Sequence, residues 1–170
     1  MMKYAGMFLL FITSVLVGLM CSDHLKKRVK ELERCLVFID KLKTSLHYQN
    51  LPTRELIHSL SGQAACKELL FLRYCSEALD QNNHFPSVWR KSVERCRGKM
   101  NLLPEDLELM ASLADIVGAS DTEGQLSALE MIETLLQKQR NEAISAQQKK
   151  GKLYRSLGAL AGASMVVLLL

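Results

Sequence analysis

The side chains that could attack a substrate, shuttle a proton or hold a metal are five cysteines, four histidines and a few neighbouring carboxylates. Chemistry needs such groups clustered, and their spacing decides. Cys21, Cys35, Cys66, Cys75 and Cys96 form no C-x-x-C pair and their number is odd, so they read as reduced thiols filling a core rather than a disulfide framework. A reactive or metal-binding cysteine is the sharper alternative. His24, His47, His58 and His84 are scattered without the spacing of metal ligands. Neither a phosphate-binding glycine loop nor a G-x-S-x-G elbow is present. The acidic pairs Glu105-Asp106 and Asp121/Glu123 lie where helices begin, and capping explains them there. Trp89 reads as the core anchor of its helix. The expectation is a protein without catalytic, cofactor-binding or metal residues.

The charge pattern directs attention to the two ends. The chain has 22 Lys and Arg against 18 Asp and Glu, which invites a nucleic-acid reading. Eight of the 22, however, are Lys26, Lys27, Arg28, Lys30, Lys149, Lys150, Lys152 and Arg155, and these flank two apolar ends. Removing those eight from 22 leaves 14 basic residues facing 18 acidic ones. The basicity therefore belongs to a membrane collar and not to a groove for nucleic acid. Residues 4–20 are uncharged, a length at the short end for a membrane span. A cleaved signal peptide lacks a small-x-small site at Gly18-Leu19-Met20, and a lipobox fails at Gly18 and Met20 before Cys21. An uncleaved anchor is the expectation, with 1–21 and 153–170 as transmembrane helices around a helical domain at 22–152. Because basic residues collect on the cytoplasmic side of spans, the domain is expected in the cytoplasm and both termini outside.

These ends must be positioned by long elements. Leu25, Val29, Leu32, Leu36, Ile39, Leu42 and Leu46 recur at steps of three and four, which predicts an amphipathic helix continuous with the first span. Ser120-Asp121-Thr122-Glu123 carries a capping-box pattern and opens a second long helix through Leu126, Leu129, Ile132 and Leu136 into the last span. At ~1.5 Å per residue such a rod could reach roughly 70 Å. Two stalks leaving one membrane face can pair antiparallel, with Leu32 near Ala143, Val29 near Ala146 and Ile39 near Leu136. Between them, Pro52, Pro86 and Pro104 each open a shorter helix and a fourth spans 64–79, with Ser61-Gly62, Asn82-Asn83, Gly98 and Gly118 as stops. The fold class is all-α, a helical bundle carried on two long stalk helices. Gly158 and Gly162 form a G-x-x-x-G with Ala159, Ala161, Ala163 and Ser164 around it, a face on which helices pack closely in lipid. Its occupant is the first span or another subunit, a second copy of the chain included.

Gly118-Ala119-Ser120-Asp121-x-x-x-Gln125, Lys152-Leu153-Tyr154-Arg155-Ser156-Leu157-Gly158 and the stretch from Leu42 to Leu60, with Tyr48 and Leu51-Pro52, carry a family likeness. The chain resembles the stage III sporulation protein AB family of endospore-forming bacteria over essentially its whole length. The first motif departs slightly from the Leu-Gly-x-Ser-Asp of the family. The resemblance implies a cytoplasmic helical domain related to the inner-membrane platform protein of type II secretion machines. It also implies a place in the mother-cell membrane, in the channel complex between mother cell and forespore. The implied partners are the stage III sporulation ATPase AA and other membrane subunits of that complex. A platform coupling the ATPase to the membrane assembly is then the expected function; a passive subunit joining channel components through transmembrane packing is the alternative.

Overall fold

A computed structural model of the chain describes residues 2–48, 51–81, 84–118 and 122–169; within 2–21 and 151–169 it describes the side chains of Thr13, Leu16, Met20 and Ser156 alone. Among the described residues there are six helices and no strand: α1 Met2–Tyr48, α2 Thr53–Gly62, α3 Leu70–Leu79, α4 Phe85–Glu94, α5 Pro104–Ile116 and α6 Thr122–Leu169. The all-α expectation holds. Each proline does the work its missing N–H allows, with Pro52 capping α2 and Pro86 and Pro104 in the first turns of α4 and α5. The helix expected over 64–79 begins only at Leu70. Residues 63–69 are instead tight turns, in which the Cys66 and Lys67 N–H groups donate to the Gln63 carbonyl and the Leu69 N–H to the Cys66 carbonyl. Ala64, Ala65, Lys67 and Glu68 are all exposed, so this stretch has no apolar stripe to hold a helix against the core. The Ser120 end of the expected capping box and the Asn82-Asn83 stop lie outside the described residues; Glu123 is exposed.

The chain divides into two compact units, and the boundaries fall inside α1 and α6: Met1–Val29 with Asn141–Leu170, and Lys30–Arg140. The first half of α1 thus shares a unit with the second half of α6.

In the Lys30–Arg140 unit the core is built around one aromatic cluster. Trp89 is fully buried, stacks on Phe38 with ring centroids 5.8 Å apart, and meets Phe71 edge-on at 5.5 Å and Phe85 at 5.6 Å. Its indole N–H donates to the Met110 carbonyl at 2.6 Å, so one side chain of α4 joins α1, α3 and α5. Between α1 and α6, the Lys43 ammonium meets Glu133 at 2.8 Å while Ile39 and Leu136 are fully buried one turn away. This ion pair ties α1 to α6 at that level. In the other unit, Ser22, Val29 and Ala143 are buried, whereas Leu16 and Met20 stand exposed at 51% and 67%.

Candidate functional site

The basic residues at the two ends are the site on which the sequence reading rests. Lys26, Lys27, Lys149 and Lys150 are exposed and Arg28 half-buried, and all five belong to the unit formed by the chain's two ends; Lys30, just across the boundary, is exposed too. The side chains of Lys152 and Arg155, and the surroundings of Gly158 and Gly162, lie outside the described residues. Asp23 is the acid within the basic cluster. Its carboxylate accepts from Lys27 at 2.9 Å across one helical turn, and that hydrogen bond and charge hold it below the ordinary carboxylate range. Among the described residues no helix is long and apolar enough to cross a membrane. The two expected spans, 1–21 and 153–170, fall almost wholly outside the described side chains.

A second constellation escaped the sequence reading. The Ser76 hydroxyl lies 2.8 Å from His58 Nδ1, and His58 Nε2 lies 3.1 Å from Asp80 Oδ1. Ser61 Oγ sits 3.1 Å from Ser76 Oγ and 2.8 Å from the His58 carbonyl, and Arg54 reaches Asp80 at 3.5 Å. With Nε2–H donating to the Asp80 carboxylate, Nδ1 accepts from the Ser76 hydroxyl, so the order serine, imidazole, carboxylate is that of a nucleophile with its base and orienter. The setting is not. Ser76 is 8% exposed and sits mid-helix in α3, where backbone N–H groups are spent on helical bonds and cannot converge on an oxyanion. The relay is a polar staple between α2 and α3. Its sequence signal is the spacing of Ser76 and Asp80 across one turn of α3; nothing local marks His58 as their partner.

The thiols follow burial. Burial pushes the Cys35 thiol well above its ordinary value, Glu31 and Asp106 adding to the effect. It raises Cys66, lifts Cys75 to about 12 and Cys96 to about 11. All four are free, buried thiols, the core-filling role expected of them. Cys21 lies outside the described residues. Among the described residues no group of His, Cys, Asp and Glu is placed to hold a metal ion.

Three polar clamps fix the loops. The backbone and side-chain N–H groups of Asn101 donate to the two oxygens of Glu31, each at 2.7 Å, tying the α4–α5 loop to α1. Asp106, fully buried in the first turn of α5, accepts from the Leu103 N–H at 2.8 Å. Gly118, at φ +82°, donates its N–H to Gln125 Oε1 at 3.1 Å. Gly118 and Gln125 are two residues of the sequence motif, and the bond between them closes the α5–α6 turn.

Comparison with known proteins agrees over the whole chain. The model of the family described as Stage III sporulation protein AB matches residues 3–170. Stage III sporulation protein AB of Bacillus subtilis (strain 168) is 20% identical over 171 residues, covering 100% of each chain. A solved structure of Stage III sporulation protein AB superimposes with a TM-score of 0.60 at 16% identity, covering 72% of this chain and 98% of that one. At that identity the likeness is one of fold.

Proposed function

Because the chain belongs to the stage III sporulation protein AB family, we propose that it is a non-catalytic platform subunit of the channel complex between mother cell and forespore. On this reading it sits in the mother-cell membrane and couples a cytoplasmic motor, the stage III sporulation ATPase AA, to the membrane assembly. The proposed layout is a transmembrane helix over 1–21, a cytoplasmic helical domain over 22–152 whose stalks continue the spans, and a second transmembrane helix over 153–170. The observation that carries the reading is the pairing of the two ends: each has an uncharged segment, a basic cluster beside it, and a place in the same compact unit. The exposed Leu16 and Met20 suit a lipid-facing surface. The positive-inside bias then orients the domain toward the cytoplasm.

The mechanical role follows from stiffness. A helix of 47 residues and one of 48 offer helical backbone where a flexible tether would absorb a push or a rotation. The test is site-specific cross-linking in sporulating cells, with the cross-linker on the exposed surface of the Lys30–Arg140 unit. Adducts with the ATPase are expected. Their absence, together with surface substitutions that leave channel function intact, sinks the coupling role.

The small-residue face at Gly158 and Gly162 favours a second reading, a passive subunit that joins channel components by packing in lipid. Leucine at both glycines abolishes function under this reading, while charge reversals on the helical domain do not.

A further inference from the structure

Between α3 and α4 lies a cleft of about 250 Å³ that neither the relay nor the clamps use. Tyr74, Ala78 and Val88 supply its apolar lining, Ser92 lies buried beside them, and the exposed Gln81, Lys91 and Arg95 supply its polar lining. The helical register explains the grouping: Lys91, Ser92 and Arg95 fall on one face of α4 and the turn after it, and Tyr74 faces them from α3. Tyr74 gathers the charge. The Arg95 guanidinium lies 4.2 Å from its ring centroid, with Arg73 and Lys99 at 5.5 Å. Arg73 leans toward Glu77 at 3.9 Å and Arg97 bonds Glu94 at 2.8 Å, but among the described residues Lys91, Arg95 and Lys99 have no carboxylate partner. Arg95, Lys99 and Arg73 also pull the nearby Cys96 thiol downward against the larger effect of burial, so the positive field reaches inward. This local excess of cations stands in a chain whose remaining charge, outside the eight residues at the ends, is net acidic.

We infer that this cleft is a docking site for an acidic segment of a partner protein, one that seats an apolar side chain against Tyr74 and Val88 and places carboxylates on Lys91 and Arg95. Charge complementarity selects the occupant. An aromatic ligand, such as a nucleotide base, would have to displace Arg95 from the face of Tyr74, whereas a carboxylate finds that guanidinium already held in place. The exposed Gln81 adds hydrogen-bonding groups that suit a peptide backbone. The inference deepens the platform reading, because it names the surface through which the helical domain takes a partner.

The test uses the full chain in nanodiscs of phosphatidylcholine, whose headgroups carry no net charge to compete. The probe is a fluorescein-labelled twelve-residue peptide rich in Asp and Glu with a central leucine, alongside its Asn/Gln counterpart. Binding of the acidic peptide is expected to fall tenfold or more when Lys91→Glu and Arg95→Glu are combined. Tyr74→Leu, which frees Arg95, is expected to weaken it about threefold. Arg90→Glu, on a residue already paired with Asp115, changes it less than twofold. The double variant gains affinity for a Lys-substituted peptide, which a misfolded chain could not do. Equal binding of the Asn/Gln peptide, unchanged binding in the double variant, or displacement by equimolar ATP or inorganic phosphate each overturns the inference. The motor cross-link is a separate readout. A chain that ignores the peptide yet still cross-links to the ATPase loses this cleft and keeps the platform, and the converse result keeps the cleft and loses the motor.

Discussion

Cys35, Cys66, Cys75 and Cys96 are shielded from water, and each holds its proton beyond the ordinary thiol value of 9.0. Unfolding returns these thiols to water, where they ionise near that value. Above it the unfolded state binds fewer protons than the folded one, so stability falls as pH rises. The loss is at most about 1.4 kcal/mol per pH unit for each thiol. The window for Cys96 runs from 9.0 to about 11, and for Cys75 from 9.0 to about 12. Urea midpoints at several alkaline pH values should therefore decline less steeply for Cys75→Ala than for the parent; parallel declines refute the assignment. Trp89→Phe removes an indole bond and part of a buried ring, and should cost about 1–3 kcal/mol in the same assay. The sequence pointed to Trp89 and the core thiols because residue type alone favours burial. It could not point to the Ser76–His58–Asp80 relay, because hydrogen bonds between α2 and α3 depend on how those helices pack.

Between elements, turns carry more specificity than the helices they join. Gly118 holds φ +82° and would bring an added Cβ within 3.2 Å of Thr53 Oγ1, so Gly118→Ala should destabilise the fold by about 1–2 kcal/mol. Gly62 sits at the end of α2 with nothing within 4 Å of such a Cβ, and Gly62→Ala should be neutral or gain up to about 1 kcal/mol. Thermal or urea unfolding separates the two, and equal effects contradict the account. For α1 and α6, cysteines at Ile39→Cys and Leu136→Cys, in a background with the native cysteines replaced, should cross-link on mild oxidation. A pair shifted by two residues on one helix should not. Prolines, glycines and a three-to-four period made most helices readable in the sequence. The late start of α3 was not readable, since Leu69, Leu70, Phe71 and Leu72 form an apolar run that cannot say which of its flanks continues the helix. The polar clamp of Glu31 on Asn101 joins residues 70 positions apart, a distance no local pattern encodes.

For the whole chain, the proposed layout predicts how it meets a membrane. Protease added to intact spheroplasts should spare the Lys30–Arg140 unit and cut it only after lysis; cleavage before lysis inverts the topology. One residue of the core also gives the experimenter a private window on that unit. The chain has a single tryptophan, and it lies among Phe38, Phe71 and Phe85 in the Lys30–Arg140 unit. Indole emission therefore reports melting there alone, while far-ultraviolet ellipticity sums helices from both units. Two transitions that fail to superimpose would reveal that the halves of α1 and α6 lose their order in separate steps.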